Sequence, residues 1–272
     1  MDKPLISIIT VTFEDLQGLL RTYESIKPFL NKNIEWIIKD GGSDGKIIKN
    51  IKKYLIKDKI KFISNIDKGT YNAMNIALNY ASGNWLIFMN GGDSFSSEYF
   101  FLDFERFLKF KKLKSSEKII IVGNYNLVLD SGEKIFVKYR KLEKCKGMNS
   151  YRMPTSHQSQ IFSRAIFSSL RFRENLKISA DHAYFWDAIN LNSRVEYFDF
   201  IIANFKTGGV SYTKNFQSLK DIIYSLKKIQ KINYLTFFLA ILKRFIAFYF
   251  KFFISINLIR RIRNLKNFLD LQ

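Results

Sequence analysis

Five apolar residues in a row, Trp85, Leu86, Ile87, Phe88 and Met89, stop abruptly at Asn90-Gly91-Gly92-Asp93. A run this short, bounded by polar residues and glycines, reads as a buried central strand rather than a helix. The paired glycines let the backbone turn sharply, leaving an amide and a carboxylate side by side at the carboxyl edge of a sheet. A strand apolar on both faces must be covered on both, and open α/β sheets take their ligands at that edge.

The sequence before it supplies the cover. Residues 5–13 are β-rich (Ile6, Ile8, Ile9, Val11), and Leu16, Leu19, Leu20, Tyr23 and Ile26 follow at helical spacing. Residues 34–39 read as a second strand that ends at Asp40-Gly41-Gly42-Ser43-Asp44-Gly45. A helical pattern through Ile47, Ile48, Ile51, Tyr54 and Leu55 leads to a third strand at 61–64, and 71–81 read as helix. This alternation predicts a doubly wound α/β domain with a mostly parallel central sheet, over residues 1–213. In a chain of 272 residues with 47% hydrophobic content, such a domain buries a real core. Residues 94–114 read as helical, with Phe100, Phe101, Phe104, Phe107 and Leu108 facing inward. Strands at 119–122 and 135–139 flank a hairpin turn at Asp130-Ser131-Gly132-Glu133.

Three strand ends carry polar chemistry: Thr10, Thr12 and Glu14; Asp40 and Ser43; Asn90 and Asp93. Singly, each has an ordinary reading as a turn or cap residue. Converging at one edge, they form a polar pocket.

Composition narrows the rest. The formal charge is +20, and the last fifth of the chain, 214–272, holds twelve Lys and Arg against Asp221 and Asp270. Leu219, Ile222, Ile223, Leu226 and Ile229 give that tail one apolar face, and 232–256 are nearly all apolar or aromatic. The longest charge-free run, 232–242, falls well short of the roughly 20 residues needed to span a bilayer. An amphipathic helix lying in the membrane surface fits better, with Arg260, Arg261, Arg263 and Lys266 suited to anionic headgroups. A helix packed on the domain or on a second subunit is the alternative. A single cysteine, Cys145, forms no internal disulfide, and the amino terminus enters a strand with no signal-peptide pattern. Together these predict a protein on the cytoplasmic face of the membrane. Carboxylates at several strand ends do not suit a nucleic-acid binder, so no nucleic-acid partner is expected. The first strand is followed by neither G-x-G-x-x-G nor a basic phosphate-gripping loop, which argues against a dinucleotide dehydrogenase and a nucleotidyltransferase.

The order ISIITVTF, WIIKDGGSDG, DKGTYNAMNIAL, ASGNWLIFMNGGD, HQS and SADHAYF resembles the family 2 inverting glycosyltransferases, with their nucleotide-diphospho-sugar-binding (GT-A, Rossmann-like) fold. The likeness covers residues 4–212 and is strongest to the branch that builds bacterial capsule, exopolysaccharide or lipopolysaccharide chains; it rests on the order of the motifs. It implies a nucleotide-sugar donor, UDP-linked, a glycan or polyprenyl-lipid-linked acceptor, and a Mg or Mn cation.

Carried over residue by residue, the resemblance puts Thr10, Thr12, Glu14 and Asp40 at the nucleobase and ribose, with Ser43 either at the ribose or capping the next helix. Asp67 and Asn72 lie in the stretch that covers nucleotide and sugar, and Asn72 stands where many relatives have an aspartate. Asn90 belongs to the donor site, while His157 and Gln158 lie beside the sugar and diphosphate as donors or a further metal ligand. Asp181, at the head of a helix, is the matching general base, which inverting transfer needs to deprotonate the acceptor hydroxyl. Gly208 and Gly209 fall in the closing loop. The chain departs from the family at Asn90 and Gly92, two positions commonly acidic, so Asp93 is the one carboxylate left there for the metal. A capping role for Asp181, a satisfied polar role for His157 and a catalytically weakened relative are the competing readings.

Overall fold

The computed structural model describes residues 3–30, 33–45, 48–50, 60–146, 152–207, 215–224 and 233–253. Strand β1 (Ile6–Thr12) lies between β2 (Ile34–Asp40) and β4 (Trp85–Phe88), with β3 (Ile60–Ser64) outside β2, all four parallel. Every residue of β2 and β4 is buried, as the continuous apolar runs require of strands covered on both faces.

Beyond β4 the sheet becomes mixed. Strand β8 (Gln160–Ser163) runs antiparallel to β4, and β6 (Ile119–Val128) antiparallel to β8. Strand β9 (Arg194–Lys206) runs parallel to β6, and β5 (Ser94–Phe95) closes the far edge antiparallel to β9. The expected hairpin is present as β6 and β7 (Lys134–Val137), with Val128 opposite Lys134. The parallel expectation therefore describes the first half of the sheet, where each strand returns through a crossover. The reversal of β8 matters for function. Because β8 opposes β4, the turn that precedes it starts beside the carboxyl end of β4.

Helices cover both faces. On one, α1 (Leu16–Ile26) and α3 (Phe100–Phe110) pack Leu19, Tyr23, Phe100 and Phe104 against Ile8, Trp36, Ile38 and Ile87. On the other, α2 (Thr70–Leu78) and α5 (Ala180–Asn190) pack Met74, Ala77, Tyr184 and Phe185 against Ile9, Ile37, Leu86 and Phe88. The short α4 (Arg164–Phe167) follows β8 directly. The stretch after Asp93, expected to be helical throughout, first runs extended. Ser94 and Phe95 pair with Asn204 and Ala203, and Phe95 stacks on Phe100 at 4.9 Å, so the helix starts only at Phe100.

In the tail, α6 (Asn215–Tyr224) docks on the domain: Asp221 is buried and accepts from the N–H groups of Ile178 (2.7 Å) and Ser179 (3.1 Å), just ahead of α5. The following α7 (Tyr234–Phe253) exposes Leu235, Phe238, Leu242, Phe245 and Ile246 at helical spacing. No described helix is long and apolar enough to cross a membrane. The helical pattern at Ile47, Ile51, Tyr54 and Leu55, the loop glycines Gly208 and Gly209, and the Arg260, Arg261, Arg263 and Lys266 cluster lie outside the described residues.

Candidate active site

At the ends of β1 and β2 the expected ligand residues hold one another. Thr10 is fully buried; its hydroxyl donates to the Met89 carbonyl (2.7 Å) and accepts from Trp36 Nε1 (2.9 Å), clasping β1 to β4. Asp40, also fully buried, accepts from Gly42 N (3.1 Å), Ser43 N (2.9 Å), Ser64 Oγ (2.7 Å) and Ser43 Oγ. Three of these donors meet Oδ2 and one, Ser43 Oγ, meets Oδ1. Asp40 is wholly enclosed here and builds the turn. Ser43 accepts from Glu14 N (2.8 Å), and Glu14, at φ 51°, accepts from Asp44 N through Oε1 (2.7 Å). Thr12 sits at the mouth, its hydroxyl 3.4 Å from the Asp15 carbonyl.

The turn is closely packed. A Cβ on Gly41 would lie 3.0 Å from Phe13 Cδ2 and 3.3 Å from Asp67 Oδ2, and one on Gly42 (φ +88°) would lie 3.1 Å from Ile66. Phe13 and Ile66 thus lie directly on the two glycines, which leave no room there for a side chain. Phe13 is 63% exposed and Ile66 87% exposed, so an aromatic ring and an aliphatic side chain stand open beside that turn. Asp67 completes it, accepting from Gly69 N through Oδ1 (2.9 Å) and paired through Oδ2 with Lys39 Nζ (2.8 Å), a wholly buried lysine that also holds the Asn65 carbonyl (2.7 Å). Phe13 and Ile66 were not singled out by sequence. The available signal was a large apolar side chain placed at a strand end where polar residues cluster.

At the end of β4 the groups form a row. Asn90 Nδ2 lies 3.0 Å from His157 Nε2, and His157 Nδ1 lies 3.2 Å from Asp181 Oδ2. Asp181 Oδ1 accepts from His182 N (2.9 Å) and faces the Tyr71 hydroxyl at 3.4 Å. Tyr71 also donates to the Ile178 carbonyl and stacks on Phe172 at 5.6 Å. His157 and Asp181 keep 21% and 18% of their side chains exposed, so the row lines an accessible surface. Burial alone would raise the Asp181 pKa, but the His157 ring and the His182 N–H outweigh it and hold the carboxyl below its ordinary value. Burial, reinforced by the Asp181 charge, pushes the Tyr71 phenol well above its ordinary value. Asn72 accepts from Lys68 N (3.0 Å) and donates to Glu174 (2.9 Å), which ties the head of α2 to the loop before α5.

Asp93 lies beside this row. It is 6% exposed; Oδ2 accepts from Gln158 Nε2 (2.7 Å) and Oδ1 from Lys206 N (3.1 Å), joining the β4 loop to the turn before β8 and to the end of β9. Desolvation raises its pKa to about 6, against the pull of Gln158, Lys206 N and the His157 charge. Gly92 (φ +97°) leans on α1, where a Cβ would point at Arg21 Nη2, 3.8 Å away. Among the described residues no three His, Cys, Asp or Glu side chains group to hold a cation. Asp93 is the one carboxylate at this turn, and Mg2+ at nucleotide sites is held by one or two carboxylates together with substrate phosphates and waters. In this geometry Asp93 is a clasp between the three segments.

Known proteins share this architecture. Residues 7–112 match the model of Glycosyl transferase family 2. An uncharacterized glycosyltransferase of Mycobacterium tuberculosis is 38% identical over 97 residues, 34% of this chain and 36% of that protein. A PGL/p-HBAD biosynthesis glycosyltransferase of Mycobacterium bovis is 31% identical over 96 residues, 35% and 38% of the two chains. The matches span little more than a third of those relatives' length. Crystalline S. aureus TarS 1-349 in complex with UDP aligns at TM-score 0.64 and 15% identity, over 93% of this chain and 76% of that one. The mannosyltransferase PcManGT from Pyrobaculum calidifontis, in complex with GDP-Man and Mn2+, aligns at TM-score 0.63 and 10% identity, over 100% and 82%. The fold is that of the GT-A glycosyltransferase structures, and the family 2 match lies within residues 7–112.

Proposed function

We propose that this chain is an inverting glycosyltransferase that moves a sugar from a UDP-linked donor to a glycan or polyprenyl-lipid-linked acceptor in the assembly of a bacterial surface polysaccharide. The observation that carries the reading is the pairing, along one sheet edge, of the exposed Phe13 ring with the hydrogen-bonded row Asn90, His157 and Asp181. A planar base fits against Phe13, where ring stacking is worth about 1–3 kcal/mol, and Asp67 offers acceptors at its rim. The diphosphate then extends toward Asn90, which leaves the anomeric carbon facing the His157–Asp181 pair. There the acceptor hydroxyl attacks opposite the departing diphosphate and gives its proton to that pair.

The Mg or Mn implied by the family resemblance would be held by Asp93 with the donor's phosphate oxygens and waters and would offset the diphosphate charge; no step of this reading passes through it. The UDP and UDP-GlcNAc complexes of TarS support a uridine donor. The mycobacterial PGL/p-HBAD biosynthesis relative supports a glycolipid-type acceptor. The open apolar face of α7 and the basic tail support attachment to the cytoplasmic face of the membrane, where such acceptors reside. Calorimetric titration of UDP, GDP and TDP into the full chain tests the donor site. UDP-selective binding weakened by Phe13→Ala supports the reading, and absence of nucleotide binding defeats it. Vesicle co-sedimentation unaffected by deleting residues after Tyr212 would defeat the membrane part alone.

A further inference from the structure

We propose that Asp221, on the tail helix α6, is a positioning residue of the transfer step: it holds the backbone from which Asp181 projects, so the tail is part of the catalytic frame. The proposal rests on the glycosyl-transfer reading, in which Asp181 belongs to the pair that takes the acceptor proton.

The stretch ahead of α5 needs a partner from elsewhere in the chain. Residues 171–179 form neither helix nor strand, and Ile178 and Ser179 are buried at its end. Buried amides in irregular backbone have no ladder or helical turn to donate to and must find another acceptor. Both find the same atom: Asp221 Oδ2 accepts from Ile178 N at 2.7 Å and from Ser179 N at 3.1 Å. The Ser179 side chain makes no capping bond to α5. A carboxylate from another helix stands there instead, at the end of α5 where the helix dipole favours negative charge.

The same segment is gripped from its other side. Tyr71, on α2, donates its hydroxyl to the Ile178 carbonyl and faces Asp181 Oδ1 at 3.4 Å. Burial, the Asp181 charge and the Asp221 charge all raise the Tyr71 pKa, which keeps the phenol protonated and able to donate. Ile178 therefore has its N–H held by α6 and its C=O held by α2, three residues before Asp181. Helix α6 is itself fixed. Ile222 is buried, and Tyr224, one turn on from Asp221, lies against Arg173, whose guanidinium forks onto Asp187 of α5 at 2.9 and 3.0 Å.

Docking alone does not call for an aspartate here. An apolar side chain would bury α6 as well, but it would leave two enclosed amides without an acceptor, and an ionised oxygen binds such donors more strongly than a neutral one. The consequence falls on geometry. A misplacement of about 1 Å in a reacting group costs on the order of 10²-fold in rate, while donor binding, which takes place at Phe13 and Asn90, is left alone.

The test uses the full chain as wild type, Asp221→Ala, Asp221→Asn and Leu108→Ala, the last a core loss on the opposite face of the sheet. UDP release from UDP-linked glucose, galactose, N-acetylglucosamine and N-acetylgalactosamine, with water as the acceptor, gives kcat and KM at a temperature where circular dichroism shows each variant folded. Amide hydrogen exchange follows Ile178 and Ser179. Asp221→Ala should lower kcat about 10–100-fold, keep KM and UDP affinity within about twofold, and speed exchange at both amides. Asp221→Asn, whose neutral oxygen makes weaker bonds to the same N–H groups, should fall between, a few-fold below the wild type, and carries the test alone where Asp221→Ala does not fold. Leu108→Ala should keep kcat within about twofold. An unchanged kcat in both Asp221 variants, a loss that appears in KM or UDP affinity instead, or an equal loss of kcat in Leu108→Ala overturns the proposal, while UDP binding leaves the donor reading standing. Absence of UDP binding by the wild type, or of UDP release from any donor, overturns both.

Discussion

The two ends of the sheet's ligand edge use the same residue types in opposite ways. At β1 and β2, Thr10, Glu14, Asp40 and Ser43 satisfy one another or the adjacent backbone, and Phe13 and Ile66 stand exposed beside them. At β4 and the turn before β8, Asn90 Oδ1, Ser156 Oγ and Gln158 Oε1 are buried with no hydrogen-bond partner. A buried polar atom costs about 1–3 kcal/mol unless a water or a ligand meets it. The first end is therefore finished by folding and offers an exposed ring. The second is left incomplete and offers chemistry.

Breaking the finished end should have the largest effect. Asp40→Ala removes the acceptor for two amides and two hydroxyls, and should lower the unfolding free energy by about 3–5 kcal/mol in urea titration. A loss below about 1 kcal/mol, accompanied by loss of UDP binding, would return Asp40 to the ligand.

Asp93 gives the next effect, and its sign follows from its raised pKa of about 6, above the ordinary value of 3.8. The fold binds that proton more tightly than the unfolded chain does, so this contribution is full below about pH 4 and is lost as pH rises through about 6. Asp93→Asn should abolish that dependence and stabilise the fold at pH 8 by on the order of 1–3 kcal/mol. Gln158 can turn its unpartnered Oε1 toward the new amide. Denaturation at pH 4.5 and pH 8 checks this, and a variant that is less stable at pH 8 would contradict it.

Phe13→Ala sharpens the comparison from the other side. UDP affinity should fall about tenfold, while stability changes by less than about 0.5 kcal/mol because the ring is exposed. The smallest effect belongs to α7. Phe238→Ser with Phe245→Ser should reduce co-sedimentation with anionic vesicles a few-fold and leave nucleotide binding unchanged.

The first half of the fold was legible because its signals are local. The apolar runs at Ile6 and Trp85, the helical spacing of Leu19, Tyr23 and Ile26, and the turn at Ser131-Gly132 each determine their own element. Strand β5 was not legible: two residues carry no period, and Ser94 and Phe95 are extended because β9, about a hundred residues on, offers them a ladder. The site was legible as a list of residues and not as an arrangement. Sequence brought out Asp40, Asp93, His157 and Asp181, but the number of donors each carboxylate accepts depends on backbone that folding brings alongside. Asp93 looks like a ligand in the string GGD, and that it is also a clasp shows only once Gln158 and the Lys206 N–H arrive. The His157–Asp181 contact needs both the antiparallel entry of β8 and the head of α5, which no motif spacing encodes.

The most direct test of the account is a calorimetric titration of UDP, in EDTA and in Mn2+, into the wild-type chain, Phe13→Ala and Asp93→Asn. The account predicts UDP binding by the wild type, tighter in Mn2+ than in EDTA, about tenfold weaker in Phe13→Ala and without the Mn2+ gain in Asp93→Asn. An Asp93→Asn variant that keeps the gain would take the metal away from Asp93, and absence of UDP binding would remove the donor site from this edge of the sheet.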